Sequence, residues 1–132
     1  MSANTTETAE ILLLEDDAAI VEGLVECLEM EGRSVRAASD GVEGLAWLAA
    51  GNRPRLVVLD LVMPRMTGED FLREIRSRPA YRDLPVILMT AAAPGKADFP
   101  EADALIHKPF ELEEFLRVVK RFLGEVGSGP RA

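Results

Sequence analysis

Short apolar runs, each ending in polar residues, constrain the fold of this chain more than any other feature. The runs ILLL (residues 11–14), LVVL (56–59) and VILM (86–89) contain no polar residue. A strand with one face in water would alternate, so uninterrupted runs of this length predict strands that are buried on both faces. Weaker strand candidates are residues 34–38 and 104–106. Strands of this kind occur in parallel sheets that helices cover on both sides.

Helical patterns fill the segments between the runs. Ile20, Leu24 and Leu28 recur every four residues, which places them on one face of a first helix. Asp40 followed by Glu43 has the spacing of a capping box and predicts the start of a second helix, which ends near residue 51.

Two further helices are predicted in the second half of the chain. One has Thr67 as its N-cap and runs to about residue 76, and the other begins near residue 111. The last helix is expected to bury Leu112, Phe115, Leu116, Val119 and Phe122. Strands that alternate with amphipathic helices predict an α/β fold, in which a doubly wound five-stranded parallel sheet is covered by four or five helices.

Length and charge limit the functional classes. The 132 residues suit one domain, and we expect a flexible leader at 1–10, the folded domain at 11–124 and a flexible tail at 125–132. The net charge of −8 argues against direct contact with nucleic acid. The chain lacks an apolar stretch that could span a membrane, lacks a secretory signal at its start and has one cysteine, so we expect a cytoplasmic protein. The initial Met and the tail favour a stand-alone protein.

Polar residues that can perform chemistry stand where the predicted strands end. Glu15 and Asp16 follow the first strand, Asp60 the third, Thr90 the fourth and Lys108 the fifth. Ligands of open parallel sheets bind outside the carboxyl ends of the strands, so these side chains are expected to meet at one edge. Clustered carboxylates repel one another unless a cation lies between them. Oxygen ligands without clustered His or Cys favour Mg²⁺ over Zn²⁺.

A magnesium site of this composition suggests phosphoryl transfer. A carboxylate such as Asp60 can act as a nucleophile and form an acyl phosphate. Lys108 would neutralise one phosphoryl oxygen, and Thr90 would donate a hydrogen bond to another.

Four segments, ILLLEDD, LVVLDLVMPRMTG, VILMTA and HKPF, resemble in order and position the receiver domain of two-component response regulators. The resemblance covers about residues 11–123 and implies the flavodoxin-like receiver fold. It implies that Asp60 accepts a phosphoryl group from a histidine kinase, and that the protein catalyses only its own phosphorylation and autodephosphorylation. Its other implications are that Asp16 binds Mg²⁺ directly, that Glu15 does so through water, and that the Val62 carbonyl supplies another metal ligand.

The same resemblance assigns the remaining site residues. Thr90 is implied to be the switch hydroxyl and Lys108 the lysine that pairs with the phosphoryl group. The Lys108–Pro109 peptide bond is expected to be cis, which X-Pro bonds allow at modest cost.

Two departures from the family pattern predict an unusual readout. Residues 91–107 contain Pro94, Gly95 and Pro100 and show no helical period, so the fourth helix of the family is predicted to be shortened or replaced by a loop. Leu105 stands where the family generally has an aromatic residue that couples to the threonine. Both departures lie on the face that receivers most often use for output, whose protein partner the sequence does not identify.

Three other functions fit parts of the sequence. An interaction scaffold that keeps the fold but does not depend on phosphorylation is favoured by the altered output face and opposed by the intact acidic pair, Thr90 and Lys108. A phosphatase of the haloacid dehalogenase type would need a second Asp two residues after Asp60, where Val62 stands. A flavodoxin-like cofactor carrier would need a phosphate-binding loop after the first strand, where carboxylates stand instead.

Overall fold

The computed structural model, which describes residues 9–91 and 99–125, contains five strands and four helices, and among these residues they alternate except that the last two strands follow one another. The elements in chain order are β1 (Ile11–Leu14), α1 (Ala18–Met30), β2 (Val35–Ala38), α2 (Gly41–Ala49), β3 (Leu56–Asp60), α3 (Gly68–Arg76), a 3₁₀ turn (Pro79–Tyr81), β4 (Val86–Thr90), β5 (Ala104–His107) and α4 (Leu112–Leu123). Within the described ranges, no helix is long and apolar enough to cross a membrane.

All neighbouring strands of the sheet are parallel, and their order is β2-β1-β3-β4-β5. Strands β1, β3 and β4 are buried along their whole length, as their unbroken apolar runs predict. The chain reverses its winding direction beside β1, so β1 and β3 flank the switch point at which ligands of such sheets bind. The predicted doubly wound α/β fold is therefore confirmed.

The two helix starts predicted from side-chain caps, at Asp40 and Thr67, are present, and Asp17 caps α1 in the same way. Asp17 accepts hydrogen bonds from the amides of residues 19 and 20, Asp40 from that of Glu43, and Thr67 from that of Asp70. Caps of this type stabilise a helix by about 1 kcal/mol each. The capping box at Asp40 differs in one detail, because the Glu43 carboxylate accepts from the Ser39 amide instead of the Asp40 amide.

Successive residues of a strand contribute their side chains to two apolar layers, one on each face of the sheet. Leu12 and Leu14 of β1 belong to the layer that α2 and α3 cover, whereas Ile11 and Leu13 belong to the layer under α1 and α4. Each face of the sheet thus has its own core, which explains why the strand runs carry no polar residue.

The predicted buried face of α4 was partly wrong. Leu112 is exposed, whereas the buried positions include Val118 and Leu123 beside Phe115 and Val119. Leu112 is the first residue of α4, and its helical spacing from Phe115 does not bring this end position into the core.

The connection between β4 and β5 is described only at its two ends. The predicted loss of the fourth helix falls mainly on residues 92–98, which lie outside the described residues, while Ala91 and residues 99–103 are not helical. Arg76 of α3 anchors the second end, since its guanidinium donates to the Glu101 carbonyl at 2.9 and 3.1 Å and pairs with Asp103 at 3.0 Å. The predicted leader and tail fall largely on residues 1–8 and 126–132, also outside the described residues, and stay predictions.

Candidate functional site

The polar residues at the strand ends lie along one edge of the sheet. Glu15 directly follows β1, Asp60 ends β3, Thr90 ends β4 and Lys108 directly follows β5. The parallel registers place these ends level with one another: Leu14 pairs with Leu59, the residue before Asp60. The sheet therefore brings side chains that are far apart in sequence to its carboxyl edge, as predicted.

Three carboxylates form an acidic cluster at this edge. Glu15, Asp16 and Asp60 each offer an oxygen, and these oxygens all lie within 4.8 Å of one another. Glu15 and Asp60 are buried, and Asp16 is exposed, so one side of the cluster faces solvent. Hard oxygen donors at this spacing fit a small divalent cation such as Mg²⁺, which keeps part of its water shell.

Lys108 lies against the two buried carboxylates. Its Nζ is 2.8 Å from Asp60 Oδ1 and 3.0 Å from Glu15 Oε1. Glu15 Oε2 also accepts a hydrogen bond from the Asp17 amide at 3.1 Å. The ammonium group thus compensates carboxylates that burial would otherwise make very unfavourable.

The pKa values of Glu15 and Lys108 both differ from their ordinary values, and the physical causes can be identified. Burial raises the pKa of the Glu15 carboxyl, and the hydrogen bond from Lys108 offsets only part of this effect. Burial acts to lower the pKa of the Lys108 ammonium group, but hydrogen bonds to Asp60 and Glu15 outweigh it, so the pKa of Lys108 is raised. Lys108 therefore carries its positive charge at neutral pH.

Thr90 is buried and lies at the same edge of the sheet. Its side chain belongs to the last position of β4, and its carbonyl accepts the Lys108 amide at 2.7 Å. This backbone bond holds the ends of β4 and β5 together. The Lys108–Pro109 peptide bond that follows is cis, as predicted.

The loop after Asp60 packs tightly on the end of β3. This close contact was not predicted from the sequence. A Cβ at Gly68 would lie 2.3 Å from the Asp60 carbonyl oxygen and 2.8 Å from Leu61 Cα, so only glycine fits there. The Gly68 amide donates to the Leu61 carbonyl at 2.8 Å. Val62, between them, has a side chain that is 73% exposed. The glycine in the segment MPRMTG, Gly68, was the sequence feature that could have indicated this close contact.

An apolar groove of about 440 Å³ opens beside Lys108. Ala19 and Ile20 of α1 form one wall, and Pro109 and Phe110 form the other. Ala91, just after Thr90, also lines it. The groove adjoins the acidic cluster through Lys108, and its other lining residues are apolar or glycine.

The doubly wound fold and the cluster of polar residues at the carboxyl edge of its sheet are typical of one class of protein. The family described as response regulator receiver domain matches residues 11–120. The chain belongs to this family, whose members are the signal receivers of two-component systems.

Individual relatives agree with this assignment. The response regulator MprA of Mycobacterium sp. (strain KMS) is 41% identical over 117 residues, which are 86% of this chain and 50% of that protein. The chain thus spans about half the length of the curated relatives that it matches.

Solved structures show the same fold. The signal receiver domain of a signal transduction histidine kinase from Syntrophus aciditrophicus is 31% identical with a TM-score of 0.79, over 95% of this chain and 97% of that one. The response regulator protein TrrA of Thermotoga maritima, solved in complex with Mg²⁺-BeF, is 34% identical with a TM-score of 0.76, over 85% of this chain and 96% of that one.

Proposed function

We propose that this domain accepts a phosphoryl group from a histidine kinase onto Asp60, with Mg²⁺, and that this event switches its binding to a protein partner. The observation that carries the proposal is the position of Asp60: its carboxylate lies 2.8 Å from the Lys108 ammonium and within 4.8 Å of the oxygens of Glu15 and Asp16. A nucleophile, a fixed positive charge and metal ligands are the parts that phosphoryl transfer to a carboxylate requires.

The transfer can be written for these residues. An Asp60 carboxylate oxygen attacks the phosphorus of the donor's phosphohistidine. The phosphorus–nitrogen bond breaks, its electron pair stays on the imidazole, which takes up a proton, and Asp60 becomes an acyl phosphate. Lys108 then pairs with one phosphoryl oxygen, and the Thr90 hydroxyl donates to another.

Glu15, Asp16, Asp60 and the Val62 carbonyl would hold the metal. Mg²⁺, when bound, supplies charge neutralisation to the transferring group. Asp16, the exposed member, is suited to direct coordination, and the buried Glu15 already accepts from Lys108 and the Asp17 amide and is suited to a water-bridged role. Val62 offers no general acid that could protonate the leaving group of an external phosphoester, so we propose that the domain promotes only its own phosphorylation and autodephosphorylation.

The readout of phosphorylation is proposed to be atypical. Leu105 of β5 is half-buried and packs against the apolar layer under α2 and α3. Leucine has no polar group that could follow the Thr90 hydroxyl when it turns toward a phosphoryl group. We propose that the output partner is a protein that reads another part of this surface, in the cytoplasm, without direct contact to nucleic acid or membrane.

Intact mass spectrometry after incubation with acetyl phosphate and Mg²⁺ tests the proposal. The wild-type chain should gain the mass of one phosphoryl group, whereas Asp60→Asn and a sample with excess chelator should gain none. An unmodified wild-type mass would contradict the proposal and favour a scaffold that binds its partner independently of phosphorylation. The leucine at position 105, in place of the family's aromatic residue, would also fit such a scaffold. Phosphotransfer from the histidine kinases of the source organism would then identify the donor.

A further inference from the structure

Arg65, in the loop between β3 and α3, has a backbone conformation that needs an explanation. Its φ angle is 67°, in the left-handed region that glycine adopts readily and that side chains with a Cβ disfavour. It is the only non-glycine residue of residues 9–91 and 99–125 with a positive φ. Strained positions of this kind persist when surrounding contacts hold them.

A buried carboxylate holds this residue. Arg65 Nη2 and Nε lie 2.6 and 2.9 Å from Asp40 Oδ2. The Asp40 side chain is 6% exposed, and its other oxygen caps α2 by accepting the Glu43 amide at 2.9 Å. Asp40 is buried and fixed by the helix that it caps, whereas the Arg65 side chain is 61% exposed, so the contact is defined by its two short charged hydrogen bonds to one fixed carboxylate oxygen.

A second contact lies directly beside the ion pair. Met66 packs on Gly41, where a Cβ would lie 2.7 Å from the Met66 sulfur. Residues 65 and 66 therefore both bind the start of α2, through Asp40 and Gly41. Met63, earlier in the loop, is buried in the core. The exposed Val62 is thus bounded by Asp60 on one side and by anchored residues on the other.

We propose that Arg65 is a positioning residue: its ion pair with Asp40 holds the left-handed turn that sets residues 61–66, and so presents the Val62 carbonyl to the divalent cation. The inference deepens the proposed function, on which its metal-binding part rests. Groups that orient metal ligands without touching the metal commonly change metal affinity when they are removed.

Three variants separate the ion pair from the backbone strain. Arg65→Gln removes the pair and keeps the strain, because glutamine also carries a Cβ. Arg65→Gly removes the pair and the strain together, because glycine adopts this φ without help. Arg73→Gln is the control, since Arg73 of α3 is equally exposed and pairs with Asp70 at 3.0 Å, away from the loop.

The first measurement is the dissociation constant of Mg²⁺, by calorimetry. Arg65→Gln should raise it by about tenfold, at the low end for groups outside the direct ligands. Arg65→Gly should recover most of the wild-type affinity, and Arg73→Gln should match wild type. Equal weakening in the glutamine and glycine variants, or wild-type affinity in Arg65→Gln, would overturn the inference.

The second measurement needs no metal. Amide hydrogen exchange of residues 61–66 in Mg²⁺-free protein should be faster in Arg65→Gln than in wild type or Arg65→Gly, with the amides of β3 unchanged. Unchanged exchange in the loop of Arg65→Gln would also overturn the inference. Failure of the wild-type protein to bind Mg²⁺ would contradict the proposed function instead, and this exchange result would still decide whether Arg65 holds the loop.

Discussion

Lys108 has the largest effect on the electrostatics of the site at the scale of single residues. It contacts two buried carboxylates, and without a metal it is the cation that permits them to lie side by side. Burial nevertheless raises the pKa of Glu15, so its charged form remains unfavourable in the folded protein. We expect the proposed Mg²⁺ to offset this cost, because it would add a second cation beside the carboxylates.

The first prediction concerns Glu15→Gln. Because the pKa of Glu15 is higher in the folded than in the unfolded chain, its contribution favours folding at low pH and is lost as the pH rises through the folded pKa. At pH 7 without metal, the variant should have a higher free energy of unfolding than wild type, because the neutral amide has no charge to desolvate and Lys108 keeps its ion pair with Asp60. The gain should vanish below about pH 4, where the carboxyl of wild type is protonated in both states.

Urea unfolding at several pH values, with and without Mg²⁺, measures this effect. Mg²⁺ should stabilise wild type more than the variant. Glu22→Gln, an exposed site on α1, should change stability by less than about 0.5 kcal/mol. A metal-free Glu15→Gln protein that is less stable than wild type at pH 7 would contradict this reading of the site.

At the scale of elements, the start of α3 must approach β3 closely. Gly68→Ala should lower the free energy of unfolding by about 1–3 kcal/mol, because its Cβ would collide with the Asp60 carbonyl and Leu61. Gly23→Ala in α1, where a Cβ meets nothing within 4 Å, should raise it by about 0.5–1 kcal/mol. Denaturant midpoints of the pair test this, and equal effects in the two variants would show that close packing at residue 68 is not the cause.

The end of the β4–β5 connection is predicted to depend on α3. Arg76→Met should destabilise the protein by about 2 kcal/mol, since the Glu101 and Leu84 carbonyls lose a charged donor. Amide exchange at residues 102 and 103 should rise while exchange in α2 stays the same. Arg73→Met, at an exposed position of the same helix, is the control and should leave exchange at 102 and 103 unchanged. Slow exchange there in Arg76→Met would contradict the proposed anchor.

Elements were predictable from sequence where local physics decides. The unbroken run at 56–59 predicts a strand buried on both faces, and Asp40 and Thr67 cap helices by bonds to near neighbours. The exposure of Leu112 was missed because helical spacing groups residues on one face of α4 but does not show which end positions lie over the core.

In the candidate site, too, the contacts that follow from regular structure were predictable, and a contact between distant loops was not. Glu15, Asp60 and Lys108 were expected together because parallel strands end at one edge. The pairing of Arg65 with Asp40 was missed because two loops 25 residues apart meet there, and no sequence period reports such a contact.

For the whole molecule, the question is how a change at Asp60 spreads. The two apolar layers meet the same strands, so a shift at a strand end can reach either face. Leu105 offers no polar partner for Thr90, and we therefore expect the response to stay near the site.

Beryllofluoride with Mg²⁺, as a phosphate mimic, tests this expectation by NMR. Amide shifts should concentrate in residues 15–17, in the loop 61–67 and at Thr90 and Lys108. Residues 104–106 of β5 should move little. Large shifts spread along β5 would contradict an atypical readout, while leaving the chemistry at Asp60 untouched.

The measurement that tests the central claim most directly locates the phosphoryl group. Protein treated with acetyl phosphate and Mg²⁺ is reduced with borohydride, which converts an aspartyl phosphate to homoserine, and its peptides are sequenced by mass spectrometry. We predict homoserine at position 60 alone, in wild type and not after omission of Mg²⁺. Homoserine at another aspartate, or at none while a receiver of known activity is modified in the same reaction, would contradict the account.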